Sequence, residues 1–548
     1  MRKMLLFCSA AMVMSCLPAI LKAREKAPAG FTITHHQLPV LVNVKHNPVM
    51  TISLDSAMGA TFRPDVLRLD LSGTTRLSDI RTIRVFLHGA KLAFDTTNLV
   101  GVVERPALRP EIRMAGTYPV GSRFWVSLEL FPSTDLLHLF RLACREISTG
   151  NGTLRASSLD KGITLRAGLG IRRHMDDGVH TYRIPGLTTT KKGTLMAVYD
   201  ARRASSRDLQ GDIDITLNRS TDGGRTWQPM QTVLDMKQWG GLPEKFNGVS
   251  DANILVDERT NDIYVAGLWM HGVLDDRGEP LQGLDTASKA WNHQWRNRGS
   301  QPGFDVHRTA QFLISKSTDD GKTWGEPVNI TTAKDSAWWL YAPAPGHGIT
   351  LRDGTLVFPT QGRNAVGVPF SNITYSRDGG RSWTVSRPAA VNTTECMAVQ
   401  LSDGGIMLNM RHNDNRKDTG SANGRAVAVT YDLGKTWTEH PTSRKALIEP
   451  TCMASIHKHA YAAGGKQKHI LLFSNPNAMT GRFNMTIKGS FDDGLSWPKE
   501  NWLLLDEGKS RGYSCITSIN DRTIGILYEG SRADMVFQMI PVSVLTGN

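Results

Sequence analysis

Two repeating patterns of apolar and polar positions divide the chain. Between residues 24 and 150, apolar side chains recur at every second position over short runs: Leu67, Leu69 and Leu71 in VLRLDLS, Ile83, Val85 and Leu87 in IRVFL, and Phe124, Val126, Leu128 and Leu130 in RFWVSLEL. Successive strand residues point to opposite faces, so each run carries one apolar face. With turn residues between them, such runs predict a β-sandwich. Trp125 falls opposite the Phe124 and Val126 face, where an indole filling a second sheet is the commoner outcome than an exposed sugar platform. The small, polar stretch STGNGTLRASSLDKG at 148–162 predicts a boundary, with a linker over 151–164.

Beyond it the period lengthens. STDGGRTW starts at 220, STDDGKTW at 317, SRDGGRSW at 376, TYDLGKTW at 430 and SFDDGLSW at 490, at intervals of 97, 59, 54 and 60 residues. In each copy the Asp can accept hydrogen bonds from turn backbone, the Gly supplies a positive φ and the Trp can pack across its hairpin. A period near 60 suits one four-stranded propeller blade with its loops, and the long first interval implies an insertion or a blade without the motif. Five copies and one degenerate blade predict an all-β chain: a six-bladed β-propeller over 165–548, preceded by a smaller β-sandwich over 24–150.

Composition removes other classes. Hydrophobic residues at 40% and charged residues at 21% exclude disorder and fibrous structure for the whole chain. Arg2 and Lys3 precede an apolar run from Met4 to Leu17, Pro18 breaks it, and Leu21-Lys22-Ala23 suits a signal peptidase, so residues 1–23 read as a secretory leader. The run is too short for a membrane span, and no later segment approaches 18 uninterrupted apolar residues. Secretion across the inner membrane to the periplasm or outer surface follows. Val13-Met14-Ser15-Cys16 resembles a bacterial lipobox, which would leave Cys16 lipidated. Losing the leader lowers the net charge from +13 to +10 by removing Arg2, Lys3 and Lys22. That surplus suits an acidic substrate; nucleic acid has only the charge in its favour, with no basic run or recognition motif. Cys144, Cys396, Cys452 and Cys515 stand singly and read as buried thiols, not as disulfides or a zinc site.

The five boxes, with YRIP at 182–185, resemble the sialidase family of glycoside hydrolases over essentially all of residues 165–545. The N-terminal part is similar to the carbohydrate-binding-like β-sandwich ahead of the propeller in some bacterial sialidases, on position and strand pattern. A sialic acid carries a carboxylate on its anomeric carbon, and guanidinium groups, always ionised and forked, suit it. The resemblance places three substrate-binding arginines on Arg183 (TYRIPGL), Arg411 (MLNMRHND) and Arg482 (NPNAMTGRFNM), with Glu529 (ILYEG) pairing the first. It places the nucleophile on Tyr513 (SRGYSCITS), its base on Glu395 (TTECMAVQL), and the general acid on Asp208, six residues beyond Arg202. Arg202, or its neighbour Arg203, would contact a ring hydroxyl, and Asp251 (GVSDANILVD) matches a further pocket acid. Asp212 and Asp214 lie close enough to be confused with the acid. Ionising a free tyrosine at pH 7 costs about 4 kcal/mol, so a base beside it is required.

The implied activity is a retaining exo-α-sialidase acting on terminal sialic acids of glycoproteins, glycolipids and oligosaccharides through a tyrosyl-enzyme intermediate. No metal or organic cofactor is implied, and a monomer is expected. A trans-sialidase, an intramolecular trans-sialidase, a non-catalytic sialic acid lectin and a preference for deaminated sialic acid remain as alternatives. The loop 270–310, with WNHQWRNR at 291–298, suits either an aromatic rim for the attached sugar or a packed insertion.

Overall fold

A computed structural model of the chain describes residues 30–547 apart from 55–60, 89–93, 120, 151, 157–159 and 294–299. The leader with Cys8 and Cys16, and 294–298 of the Trp-rich loop, lie outside the described residues. Among the described residues strands dominate, and the one α-helix is a single turn, Ser543–Thr546, with a few 3-10 turns. Among the described residues no helix is long and apolar enough to cross a membrane. Cys144, Cys396, Cys452 and Cys515 are free and buried.

The period-two runs become strands whose apolar faces meet. Phe31–His35, Asn47–Leu54, Arg123–Leu130, Ile80–His88 and Leu99–Glu104 form one sheet. Leu139–Thr149, Pro64–Asp70 and Glu111–Arg113 belong to the other. Leu67, Leu69, Ile83, Val85, Phe124, Val126 and Leu128 are buried between them, and burial of each such side chain contributes about 1.5–3 kcal/mol. Trp125 does not fill a sheet interface of the sandwich. It is half-buried on the outer face, stacked on His36 at 4.7 Å. His36 Nδ1 in turn meets Glu507 from the far end of the chain at 3.1 Å.

Each propeller blade runs from an inner to an outer strand. Blade 1 is Thr181–Thr189, Leu195–Arg202, Ile213–Ser220 and Gln231–Leu234; blade 2 is Gly248–Val256, Ile263–Met270, Gln311–Ser317 and Val328–Asn329. In blade 3 the inner strand is broken into Leu340–Pro343 and Ile349–Thr350, both paired with Leu356–Arg363, followed by Pro369–Ser376 and Thr384–Val385. Blade 4 is Thr393–Gln400, Ile406–His412, Ala426–Thr430 and Thr438–Glu439, and blade 5 is Ser455–Ala463, Lys466–Pro476, Met485–Ser490 and Trp502–Asp506.

Blade 6 takes Ser514–Asn520, Thr523–Tyr528 and Met535–Pro541 from the C-terminal end and its outer strand, Ile163–Arg172, from the other end of the propeller sequence. The first residues of that strand also pair with Leu139–Leu142, which makes the sandwich sheet continuous with the last blade. The long first box interval is therefore an insertion between the second and third strands of blade 2. The sixth blade lacks a box because the box occupies the turn between third and fourth strands, and here the chain does not connect them.

The boxes also staple neighbouring blades. Asp222, Asp319, Asp378, Asp432 and Asp492 each accept from the Ser or Thr two residues before and the one four residues after, at 2.5–2.9 Å. Three of the indoles also reach the preceding blade, Trp227 while donating to the Gly224 carbonyl of its own turn at 3.1 Å. Trp227 meets Phe537 edge-on at 5.1 Å, Trp383 meets Tyr264 at 6.1 Å, and Trp437 donates to the Arg387 carbonyl at 3.1 Å. Gly224, besides its φ of 92°, leaves no room for a Cβ, which would lie 2.4 Å from the Phe537 ring.

Candidate active site

The inner strands lose register where they turn their first residues toward the propeller axis. Slips occur between Arg183 and Gly186, between Ser250 and Asn253, and between Thr393 and Cys396. Bulges of this kind re-aim a side chain. Ile184 and Asp251 both adopt φ 62°, a conformation costing on the order of 1–3 kcal/mol for a non-glycine residue. The strain at Ile184 is held by its amide, which donates to Glu529 Oε1 at 3.1 Å.

Around Tyr513, which directly precedes the inner strand of blade 6, three arginines from blades 1, 4 and 5 converge. Arg183 and Arg482 flank the phenol ring, their guanidinium carbons 5.4 and 5.5 Å from its centroid, and cations over an aromatic face attract it. Arg411 Nη1 donates to the Tyr513 hydroxyl at 3.2 Å and also pairs with Glu395. The Tyr513 hydroxyl donates to Glu395 Oε1. Burial, then the nearby Glu395 charge, pushes the phenol well above its ordinary value against the opposing pull of Arg411 and Arg482. The resting nucleophile candidate is thus neutral, with its acceptor in contact.

Glu529 ties this cluster together. Its carboxylate accepts from Arg183 Nε at 2.5 Å, from Ile184 N, and from Tyr513 N at 3.0 Å. Burial would raise the Glu529 carboxyl, but Arg183 and the two amides outweigh it and hold it below its ordinary value. Burial likewise opposes the charge on Arg183, and Glu529 overrides it. Arg482 is fixed by the Arg511 and Thr451 carbonyls at 2.8 and 3.3 Å. Arg411 Nε is buried with no hydrogen-bond partner among the described residues, an open donor at the meeting point of three cations.

Arg202, wholly buried, donates to Asp200 at 3.1 Å and to Asp208 at 2.7 Å, while Arg203 turns away to Asp214 at 2.5 Å. Arg202 is therefore the one that faces the cluster. The Asp208 side chain is 65% exposed, and its charge acts on both Arg183 and Asp251. Asp212 and Asp214 are set apart with Arg203; burial and the mutual charge lift Asp212 to about 7 and burial lifts Asp214 to about 6. Asp251 accepts from Gln361 Nε2 at 3.2 Å, and burial, then the charges of Glu395 and Asp200, push it well up.

Sequence reasoning missed the supports. Asp200, which accepts from Arg202 and at 2.5 Å from Ser250, was signalled only by sharing a strand face with Arg202, two residues away. Burial lifts it to about 6 against the pull of Arg202. Glu449 pairs with Arg425 at 2.7 Å with neither exposed, and its other oxygen accepts the amide next to Arg411, His412 N, at 2.7 Å. No local pattern pointed to it. Among the described residues no three His, Cys, Asp or Glu side chains are grouped to hold a metal ion.

Residues 184–490 match the model of a BNR repeat-like domain. A sialidase of Bacteroides fragilis is 41% identical over 92% of this chain and 93% of its own length. A solved Hadza microbial sialidase is 35% identical, with a TM-score of 0.82 over 94% of this chain and all of that one. The solved intramolecular trans-sialidase of Ruminococcus gnavus, at 19% identity and TM-score 0.52 over 67% of this chain and 96% of its own, shares the fold. With these likenesses spanning the sandwich and the whole propeller, the chain belongs to the sialidase family, glycoside hydrolases of the neuraminidase type.

Proposed function

We propose that the protein is a retaining exo-α-sialidase that releases terminal sialic acids from glycoproteins, glycolipids and oligosaccharides. The observation that carries this is the phenol of Tyr513, hydrogen-bonded to Glu395 and bracketed by Arg183, Arg411 and Arg482. The arginines grip the sugar's carboxylate, Glu529 orients Arg183, Arg202 contacts a ring hydroxyl and Asp251 lines the pocket. Net bonds to charged groups contribute about 1.5–3 kcal/mol each, enough together to hold one monosaccharide.

A carboxylate nucleophile would be repelled by the substrate's own carboxylate, whereas a neutral phenol approaches freely; sialidases depart from the two-carboxylate pattern in this way. As the Tyr513 oxygen bonds to the anomeric carbon, its proton passes to Glu395, and the glycosidic oxygen leaves with the proton of Asp208. Water then attacks the anomeric carbon, giving its proton to Asp208. The tyrosyl bond breaks, and Tyr513 recovers its proton from Glu395. Two inversions at one carbon retain configuration. The chain divides, on this reading, into a leader (1–23), a sandwich (24–150), a linker (151–164) and the catalytic propeller (165–548), and it works as a secreted monomer.

Incubation with sialyllactose and mass identification of the freed sugar tests the proposal. Free sialic acid is expected; a product one water lighter would mean that a substrate hydroxyl, not water, takes the sugar from the enzyme, and no release would leave a lectin.

A further inference from the structure

The loop bearing Asp208 is exposed at that carboxylate and anchored just beyond it. Leu209 adopts φ 46° yet is only 3% exposed, seated in an apolar cluster with Leu268, Met270, Ala310, Leu340 and Ala342 from blades 2 and 3. Gln210 then uses both ends of its amide on the backbone of the blade 2 insertion. Its Nε2 donates to the Trp291 carbonyl at 3.0 Å and its Oε1 accepts from His293 N at 3.2 Å. Gly211 lies over the first residue of the blade 2 inner strand, where a Cβ on Gly248 would be 2.7 Å from its carbonyl oxygen.

The insertion is itself pinned. Asn292–His293 pairs with Val273–Leu274, Trp291 packs edge-on to Phe246 at 4.7 Å, and Lys245 Nζ donates to the Ser288 carbonyl at 2.8 Å. Of the two roles the sequence left open for this segment, Trp291, Asn292 and His293 take the packed one, and the acid's loop is among what Trp291 and His293 meet.

We infer that the blade 2 insertion is a positioning element for the general acid: Gln210 couples it to Asp208, and Leu209 plugs the loop into the core. This rests on Asp208 acting as the acid. Proton transfer needs hydrogen-bond reach, and a misplacement of about 1 Å can cost on the order of 100-fold. Substrates with a good aryl leaving group need no protonation, so a loosened acid harms only natural glycosides.

The test compares Gln210→Ala, Asp208→Asn and the double variant by kcat and KM on sialyllactose and on a nitrophenyl sialoside. The aryl substrate also reports whether each variant has folded. Asp208→Asn should lose roughly 100-fold or more in kcat on sialyllactose and far less on the aryl substrate. Gln210→Ala should show the same selectivity at about 10-fold with KM little changed, and the double variant should be no worse than Asp208→Asn. Equal losses on both substrates for Gln210→Ala, or none beside a selective Asp208→Asn, overturn the clamp alone. A non-selective Asp208→Asn overturns the acid assignment and the clamp with it.

Discussion

Replacing Glu529 by Gln keeps the volume of a side chain that is 2% exposed and removes only its charge. In the native arrangement one oxygen accepts from Arg183 and Ile184 and the other from Tyr513 N. An amide can keep only one of those faces as an acceptor. Whichever way it turns, an NH2 opposes an N–H donor, leaving a buried donor unsatisfied at about 1–3 kcal/mol. Arg183 also loses its counter-charge, and breaking one side of a buried pair costs about 3–5 kcal/mol. We therefore expect urea denaturation at pH 7 to show a loss of about 3–5 kcal/mol, the figure for a broken buried pair, which already includes the donor left unpaired.

Acid titration adds a second reading. Because the folded-state value of Glu529 is depressed, its stabilisation is complete above the ordinary glutamate value near 4.3 and is lost as pH falls through the lower folded value. The wild-type protein should lose stability more steeply below that pH than Glu529→Gln. A variant within about 1 kcal/mol of wild type, or one with the same acid limb, would refute the reasoning.

Tyr513→Phe should lower turnover of an aryl sialoside by at least about 1000-fold while sialic acid still binds by calorimetry; unchanged turnover removes the tyrosine from its role. Lys488 is buried in blade 5, its Nζ without a hydrogen-bond partner among the described residues and 4.6 Å from the centroid of the Trp502 ring. Burial brings it down from 10.5 to about 7. The unfolded chain holds that proton more tightly, so stability should climb as pH rises from about 7 to 10.5. Lys488→Met should raise Tm at pH 7 and flatten that climb, and an unchanged melting curve across this range would contradict the reading.

What the sequence made legible followed local chemistry. Period-two runs such as Leu67, Leu69 and Leu71 declare a buried face without reference to any partner. The five boxes declare turns because Asp, Gly and Ser or Thr satisfy one another within eight residues. Closure of the last blade was not legible, since the partners Leu169 and Phe537 lie at opposite ends of the propeller sequence and neither strand marks the other. The bulges that aim Arg183, Asp251 and Glu395 depend on two residues facing one across a ladder, which no single strand encodes. Of the residues named by family resemblance, Arg183, Arg411, Arg482, Glu395 and Glu529 lie around Tyr513, while Arg202 and Asp208 pair with each other and Asp251 bonds Gln361. Their supports, Asp200, Gln361 and Glu449, carry no motif, because a buried carboxylate or amide is specified by what folds over it.

The central claim is that the Tyr513 oxygen becomes bonded to the sugar. Incubating the enzyme with a fluorinated sialic acid that slows the second step, quenching in acid and mapping peptides by mass spectrometry tests it most directly. The account predicts a single sialyl adduct on the peptide containing Tyr513, absent from Tyr513→Phe. An adduct on a carboxylate peptide, or inhibition with no adduct at all, would contradict it.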